Sequence, residues 1–234
     1  MKKTILIVAL IFAGVLIASV AILLFTSSDF SGFGKEPLSE PVVTRLPSEP
    51  ANGDQAPGKE GKEPYKWQDH PVFVIGDSLT LGAKNEIIKA VSGFTDITVD
   101  GKNGRNMSSG ASILKGWQDD GTLPDDAIIV VCLAHNITDS TVRDAEKIVE
   151  MIKPGQSLIM MTGHGRSSML PINEYLRNLP NEYTYIAVAD WDLTIIKSPS
   201  LLSDDGIHIG KRQGNELYAT LILWALEVAQ PMPE

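Results

Sequence analysis

The chain carries a serine and a histidine–aspartate pair whose types and spacing allow a catalytic triad. Ser78 lies in a Gly-Asp-Ser-Leu segment at 76–79, directly after an apolar run. Asp205 and His208 are three residues apart near the carboxyl terminus. A serine becomes a nucleophile when a base takes its proton, and a histidine base needs a carboxylate to orient it and stabilise its charged form. These residues therefore allow ester chemistry at Ser78, with His208 as the base and Asp205 as its partner.

Each motif is common when it occurs alone. An Asp-Ser pair before a helix is more often a plain N-cap than a nucleophile, because such side chains accept hydrogen bonds from free backbone N–H groups. Asp-x-x-His occurs on many protein surfaces without a function. The presence of both motifs in one chain favours the catalytic interpretation.

Three other histidines compete for the role of base. His70 precedes the first apolar run, which predicts a surface position on the wrong side of a parallel sheet. His164 follows the fourth apolar run and is predicted either to contact substrate or to lie exposed in its loop. His135 precedes Asn136 and is predicted to shape the pocket, although no carboxylate near it is evident from the sequence. His208 therefore remains the best candidate.

Metal and nucleotide chemistry find no matching motif. The chain has no His-Glu-x-x-His, no paired cysteines and no histidine cluster, so no metal site is predicted. The glycine-containing segments at 101–104 and 163–165 do not fit a phosphate-binding loop. The single cysteine, Cys132, lies in an apolar run and is predicted to be a small buried hydrophobe. We therefore expect chemistry that needs no cofactor.

The spacing of apolar runs predicts the elements that position these side chains. Helical periodicity lies between the runs, and nearly continuous apolar strands that alternate with helices are typical of a parallel sheet covered on both faces. We predict a three-layer α/β/α sandwich with a five-stranded parallel sheet. The predicted strands are 72–75, 97–99, 127–133, 158–161 and 185–189, and helices are predicted from near 79 to 91, from near 140 to 152 and from 215 to 229.

In open parallel sheets, function gathers in the loops beyond the carboxyl ends of the strands. Ser78 follows the first predicted strand and begins a predicted helix, so its hydroxyl lies near free backbone N–H groups and the positive end of the helix dipole. Such groups can stabilise an oxyanion that develops during attack on an ester.

The combination of motifs resembles the SGNH, or GDSL-type, family of esterases and acyltransferases, over most of residues 70–230. The resemblance implies the flavodoxin-like fold of these hydrolases. It implies that Ser78 is the nucleophile and an oxyanion donor through its N–H, and that Asp205 and His208 complete the triad. The Asp190-Trp191 pair after the fifth strand resembles the Asp-Trp that often ends the last strand of SGNH domains associated with O-acylation of cell-wall polysaccharides.

Two further blocks of the family form its oxyanion hole, and both have counterparts here. Gly104, in a Gly-Arg pair, resembles the glycine of the second block, with Gly101 as the alternative. Asn136 resembles the asparagine of the third block. The chain departs from the usual Gly-x-Asn-Asp pattern, because Ala134 replaces the glycine and Ile137 follows the asparagine. We also expect Asp77, His135 and His164 to contribute to substrate binding.

Composition divides the chain into three segments. Residues 4–25 are apolar without a charge and follow two lysines, so residues 1–25 are predicted to be a transmembrane anchor with a cytoplasmic amino terminus. A cleaved secretory signal is the alternative. Residues 26–66 hold six of the fourteen prolines and are predicted to be a disordered linker. Residues 67–234 are predicted to be the catalytic domain, outside the cytoplasm.

The net negative charge of this domain limits the kinds of partner that it can bind. It contains 13 Lys and Arg against 22 Asp and Glu, and such an acidic domain is a poor match for nucleic acid. Together with the predicted anchor, the resemblance implies a membrane-anchored, extracytoplasmic serine esterase or O-acyltransferase that acts on acetyl esters of a cell-wall glycan such as peptidoglycan. A transferase would also need a multi-spanning membrane partner to supply the acyl donor. The alternatives are a hydrolase of lipid or small esters, and a non-catalytic domain that binds glycan or a partner protein.

Overall fold

The computed structural model describes residues 43–44 and 65–234. The predicted anchor, at residues 1–25, lies outside the described residues, as does most of the predicted linker, at 26–66. Within the described ranges, every helix is too short or too polar to cross a bilayer.

The described residues form a sheet of six strands. They are β1 (Val43–Thr44), β2 (Val72–Gly76), β3 (Ile97–Gly101), β4 (Ile128–Cys132), β5 (Ser157–Met161) and β6 (Ile186–Ala189). The strands β2 to β6 are parallel, which confirms the predicted five-stranded parallel sheet. The order of all six across the sheet is β1-β6-β5-β4-β2-β3. The short strand β1 pairs antiparallel with β6 and lies in the stretch that was predicted to be linker.

The register of the central strands aligns the loops that carry the candidate residues. Gly76, the last residue of β2, stands opposite Gly101 at the end of β3 and opposite Cys132 at the end of β4. The loops that follow these three strands therefore begin at the same level of the sheet edge. This register brings Ser78, Gly104 and Asn136 to one region of the molecule.

Helices cover both faces of the sheet, which confirms the predicted three-layer α/β/α sandwich. Alternate residues of β2 enter two separate cores, with Val72 and Val74 in one and Phe73 and Ile75 in the other. The first core includes α1, α6 and Trp191 of α5, and the second includes α2, α3 and α4. The helices are α1 (Ser78–Val91), α2 (Met107–Asp119), α3 (Thr141–Glu150), α4 (Leu170–Glu182), α5 (Trp191–Ile195) and α6 (Arg212–Leu226).

Local capping explains where the helices nearest the site begin. The Oδ1 atom of Asp77 accepts the N–H of Leu79 at 2.9 Å, so Asp77 is the N-cap of α1. Asn106 caps α2 in the same way by accepting the N–H of Ser109 at 3.0 Å. Both caps lie at the carboxyl edge of the sheet, and each fixes the start of a loop-to-helix turn there.

Candidate active site

Ser78 and His208 come into contact although 130 positions separate them in the chain. Ser78 is the first residue of α1 and is half-buried. Its Oγ lies 3.0 Å from Nε2 of His208, which is hydrogen-bond distance. The N-cap carboxylate of Asp77 does not contact this serine hydroxyl, because it accepts from Leu79 and lies near His135 instead. The Ser78 hydroxyl is therefore placed to donate its proton to the ring of His208.

Asp205 holds the other side of the same imidazole. Its Oδ2 lies 2.6 Å from Nδ1 of His208, while its Oδ1 accepts the backbone N–H groups of Ile207 and His208, each at 2.9 Å. The hydrogen bond from the His208 ring is the main cause that lowers the pKa of Asp205 to about 2, and the two backbone bonds lower it further. About half of each side chain is exposed to solvent. The carboxylate therefore stays charged and keeps the Nδ1–H tautomer of His208.

A tight turn presents these two residues. Leu202 and Ile209 form an isolated antiparallel bridge, and the N–H of Ser203 donates to the carbonyl of His208 at 2.7 Å. Gly206 has a φ of +67°, a left-handed conformation that suits glycine. The segment between the bridged residues is thus a closed loop, with Asp205 near its tip and His208 where the loop rejoins the bridge.

The two other predicted oxyanion residues, Gly104 and Asn136, line one groove. Gly104 has a φ of +71°, so a side chain at this position would strain the backbone. One amide N–H of Asn136 donates to the carbonyl of Arg105 at 3.0 Å, which leaves the second amide N–H for a ligand. Among the described residues, no acceptor takes the backbone N–H of Ser78 or of Gly104. Each of the three groups therefore keeps an N–H that makes no hydrogen bond within the described residues.

Arg105 ties the loops around this candidate oxyanion hole together. Its guanidinium donates to the carbonyl of Gly76 at 3.1 Å, to the carbonyl of Asp100 and, at 2.8 Å, to the carboxylate of Asp100. Its side chain is almost fully buried, and its own carbonyl holds Asn136. One residue thus joins the ends of β2 and β3 to the loop after β4. Arg105 was not predicted to be part of the site.

The groove that contains Gly104 and Asn136 has a volume of about 470 Å³. This volume falls within the roughly 300–1,000 Å³ that is usual for small-molecule sites, and it far exceeds the needs of an acetyl group. Its lining is mostly polar and carries both charge signs, from Arg166 and Asp139. The lining residues are Gly104, Asn106, His135, Asn136, Ile137, Thr138, Asp139, Arg166 and Ser168.

Asp77 and His135 form a second, buried pair behind the serine. The Asp77 side chain is fully buried and that of His135 is 5% exposed. Nδ1 of His135 lies 3.1 Å from Oδ2 of Asp77, and its Nε2 lies 3.2 Å from the backbone N of His164, which donates to it. No carboxylate near His135 was evident from the sequence, because Asp77 is 58 positions away. Strand register could have provided that signal, since β2 and β4 are neighbours.

His164 is bonded to a cluster of charged residues on the far side of this pair. Its Nδ1 lies 2.8 Å from Oδ1 of Asp192, and Arg177 binds both Asp192 and Asp190. Burial raises the pKa of Asp192, but hydrogen bonds from Arg177 and His164 outweigh burial and lower it overall. His164 is not among the residues that line the groove. Its predicted contact with substrate remains a prediction.

The structure thus brings together Ser78, Asp205 and His208 in one chain of contacts and places Gly104 and Asn136 on the adjoining groove. Cys132 is buried, and burial raises the pKa of its thiol to about 12, which disfavours the reactive thiolate. Within residues 65–234, no cluster of three or more His, Cys, Asp or Glu side chains has the geometry of a metal site. The arrangement suits nucleophilic attack by a serine on an ester.

Several proteins with a related fold or sequence are named as enzymes that act on esters. The C-terminal catalytic domain of peptidoglycan O-acetyltransferase A from Streptococcus pneumoniae, solved with a methylsulfonyl adduct, superposes with a TM-score of 0.64 at 21% identity. The match covers 70% of this chain and 98% of that domain. A G-D-S-L family lipolytic protein from Veillonella parvula DSM 2008 superposes with a TM-score of 0.56 at 17% identity, over 66% of this chain and 97% of the other.

A weaker sequence relationship points in the same direction. YrhL of Bacillus subtilis (strain 168) is 22% identical to this chain over 152 residues. YrhL is provisionally named as a peptidoglycan O-acetyltransferase. That match covers 64% of this chain but only 23% of YrhL. No protein-family model matches the chain. The solved structures confirm the resemblance to the SGNH, or GDSL-type, family, and at these identities the likeness is one of fold.

Proposed function

We propose that this protein is a serine esterase or O-acyltransferase that acts on acetyl esters of a cell-wall glycan. The observation that carries the proposal is the continuous contact from Ser78 Oγ through the His208 ring to the Asp205 carboxylate, with distances of 3.0 and 2.6 Å. The ester-acting proteins of the same fold support it.

In the proposed reaction, the Ser78 hydroxyl attacks the carbonyl carbon of the ester while Nε2 of His208 takes the hydroxyl proton. The imidazolium that forms is stabilised by Asp205, whose lowered pKa keeps it charged. His208 then gives this proton to the leaving oxygen, which belongs to the sugar in an esterase and to the acyl donor in a transferase. The products of this half-reaction are an acyl-Ser78 ester and the protonated leaving group.

The negative charge of the tetrahedral intermediate falls on the former carbonyl oxygen. The backbone N–H groups of Ser78 and Gly104 and the amide of Asn136 are the proposed donors to it. A single donor of this kind contributes about 3–4 kcal/mol to stabilisation of the transition state. Arg105 supports all three, because it bonds to Gly76 beside the serine and to Asn136 and directly follows Gly104.

In the second half-reaction, His208 takes a proton from the acceptor, which attacks the acyl-Ser78 ester. His208 then returns this proton to Ser78 Oγ as the serine leaves, which restores the starting state. A water acceptor makes the protein an esterase, and a sugar hydroxyl makes it a transferase. Neither path needs a metal or an organic cofactor. A transferase also needs an acyl donor outside the cytoplasm, so that reading includes a multi-spanning membrane partner.

The proposed substrate is acetylated peptidoglycan or a related glycan. The Streptococcus pneumoniae domain is a peptidoglycan O-acetyltransferase by name, and YrhL is provisionally named as one. The open, polar groove has room for a sugar beside the candidate oxyanion donors. A lipid ester would favour an apolar groove, and the mostly polar lining argues against it.

The location is also part of the proposal, supported by sequence alone. The apolar run at residues 4–25 would anchor the protein in the cell membrane with a cytoplasmic amino terminus, and residues 26–66 would link it to the domain outside. Protease added to intact, wall-stripped cells should cleave the domain. Complete protection of the domain, with cleavage after lysis, would refute this topology.

The enzymatic proposal is tested with the full-length protein in detergent. We expect wild type to react with a fluorophosphonate probe and to hydrolyse an aryl acetate, and Ser78→Ala to do neither. Ser92→Ala, at the opposite end of the same helix, is the matched control and should behave as wild type. A wild type that neither labels nor turns over ester faster than Ser78→Ala would leave a non-catalytic binding domain as the better account.

The direction of acyl transfer is tested in cells. Mass spectrometry of cell-wall fragments compares cells that make wild-type protein with cells that make Ser78→Ala. More acetylation in the variant indicates an esterase, and less indicates a transferase. Equal acetylation would refute the proposed substrate without touching the ester chemistry.

A further inference from the structure

A polar connection runs between the two halves of the candidate triad, beneath the groove. It begins at Asp77, which directly precedes Ser78, and passes through the buried ring of His135 to the backbone N of His164. The two contacts of the His135 ring are 3.1 and 3.2 Å long. Because both ring nitrogens are engaged, the ring is held at its two ends.

The donors and acceptors of this connection can be assigned. A backbone N–H can only donate, so Nε2 of His135 must be unprotonated where it accepts from His164. The proton of a neutral ring then lies on Nδ1 and is donated to the Asp77 carboxylate. His135 is thus a neutral ring that donates a hydrogen bond to Asp77 and accepts one from the backbone N–H of His164. The other neutral tautomer would lose both hydrogen bonds.

The connection reaches the catalytic turn through the next residue. Gly165 has a φ of +119° and lies against the turn that holds Asp205 and His208. A Cβ at this position would lie 2.6 Å from Cγ1 of Ile207 and 2.9 Å from the carbonyl oxygen of Gly206, so the two backbones are in close contact. Movement of the 163–165 segment would therefore be transmitted to His208.

These contacts close a ring. Ser78 follows Asp77 in the chain. The ring of His135 is hydrogen-bonded both to Asp77 and to the backbone N–H of His164. The next residue, Gly165, packs against the turn that holds Asp205 and His208. The Ser78–His208 hydrogen bond, 3.0 Å long, completes it. This bond is the step on which the chemistry depends, and the rest of the ring determines whether its two partners stay within reach.

We propose that His135 is a positioning residue that sets the distance between Ser78 Oγ and His208 Nε2. The inference rests on the proposed function, because it concerns the reaction of the same serine. His135 itself makes no contact with Ser78, His208 or Asp205 in this arrangement. Its effect is on geometry, and a displacement of about 1 Å between reacting groups can cost about 100-fold in rate.

Three substitutions separate the two ends of the connection. His135→Asn keeps an amide donor near the position of Nδ1 but is too short to reach His164. His135→Gln keeps an acceptor near the position of Nε2 but loses the donor to Asp77. Asp77→Asn preserves the cap of α1, since asparagine caps as well as aspartate, but places an N–H against the Nδ1–H of His135. Each variant removes one of the two hydrogen bonds made by the His135 side chain.

We expect each variant to lower kcat on an aryl acetate by about 10–100-fold, with KM changed less than about twofold. Fluorophosphonate labelling should slow by a similar factor. His70→Gln is the matched control, because Nδ1 of His70 also lies near an aspartate, Asp126 at 3.2 Å, but before the first parallel strand. It should keep wild-type kcat. Folded His135 variants with wild-type kcat would overturn the inference.

A double-mutant cycle distinguishes positioning from general loss of stability. Because both residues act through one connection, His135→Gln with Asp77→Asn should lose no more activity than the worse single variant. Losses that multiply would overturn the inference. The ring nitrogen signals of ¹⁵N-labelled histidine provide a readout without turnover: in Asp77→Asn the His208 signals should shift, and unchanged His208 signals would also overturn it. An inactive wild type with the expected His208 shift would count against the proposed function instead.

Discussion

The exposed pair of His208 and Asp205 and the buried pair of His135 and Asp77 are built from the same contact. In both, ring Nδ1 lies within hydrogen-bond distance of an aspartate oxygen, at 2.6 Å in the exposed pair and 3.1 Å in the buried one. They differ at the other ring nitrogen. Nε2 of His208 meets a serine hydroxyl, whereas Nε2 of His135 meets a backbone N–H. The partner at Nε2 therefore decides whether a His–Asp pair can do chemistry.

Every histidine of the chain lies beside an aspartate. His70 lies beside Asp126 and His164 beside Asp192, so all four histidines have an aspartate at Nδ1. Pairing with a carboxylate is thus a poor guide to function in this molecule. Solvent exposure separates the pairs further, because a buried charge without its partner destabilises the fold and an exposed one does not. Activity should therefore depend most on the exposed pair, and stability most on the buried pair.

The largest expected effect is the loss of the base. His208→Ala should lower kcat on an aryl acetate by about 10⁴–10⁶-fold, since nucleophile and base act as a unit. Steady-state kinetics measure this loss, and the thermal unfolding midpoint should stay near that of wild type because the side chain is half exposed. A variant that retained a tenth of wild-type activity would mean that another group takes the proton of Ser78.

A smaller loss is expected from the carboxylate of the exposed pair. Asp205→Asn removes the charge that stabilises the imidazolium and the acceptor that fixes its tautomer, so kcat should fall by about 10²–10⁴-fold. Asp204→Asn, at the neighbouring exposed position, is the control and should have little effect. If both variants lost equal activity, the negative charge of the loop would matter more than the contact with His208.

The buried pair should dominate stability. His135→Leu leaves the fully buried carboxylate of Asp77 without its ring donor, and losing a hydrogen bond to such a charged group costs about 1.5–3 kcal/mol in the free energy of unfolding. Denaturant unfolding measures the change. His208→Ala should cost less than about 0.5 kcal/mol in the same experiment, because its side chain is exposed. Similar costs for the two variants would contradict the division between activity and stability.

The smallest effect concerns protonation of Asp205. Removing the ring in His208→Ala should raise the pKa of Asp205 from about 2 toward the usual aspartate value of about 3.9. It should stay below that value, since the backbone N–H groups of residues 207 and 208 still donate to it. ¹³C NMR titration of the carboxyl group measures the shift. A pKa unchanged by the substitution would show that the backbone contacts alone depress it.

The same shift has a defined sign for stability. The pKa of Asp205 is lower in the folded state than in the unfolded chain, so its ionised form favours folding. This contribution is complete above the unfolded value and is lost as the pH falls from there to about 2. At neutral pH the Asp205 carboxylate is therefore charged, and its protonation does not limit the reaction.

The sequence predicted the sheet well because its strands are unusually uniform. β2 and β4 are buried along their whole length, and runs of apolar residues without polar interruption leave little alternative to a strand. The helix at Met107–Asp119 was not predicted, since it is rich in serine and glycine, which are poor helix formers. Its start depends on the side chain of Asn106, a local contact that composition does not reveal.

The candidate triad followed from motifs, whereas its surroundings depend on tertiary contacts. Ser78, Asp205 and His208 lie in short motifs that resemble family blocks. Arg105 and the pairing of His135 with Asp77 depend on which strands are neighbours, and no local pattern specifies that. The residues that support a site are therefore harder to predict from one sequence than those that react.

The short strand β1 has a practical consequence for work on the isolated domain. Val43 and Thr44 pair with Ala189 and Val188, so β1 covers part of the edge of β6. A fragment that began at residue 67, the boundary predicted from composition, would lose this strand and leave backbone N–H and C=O groups of β6 unpaired. Exposed strand edges recruit other strands and promote aggregation. A recombinant domain that begins before residue 43 should accordingly remain monomeric at higher concentration than one that begins at 67.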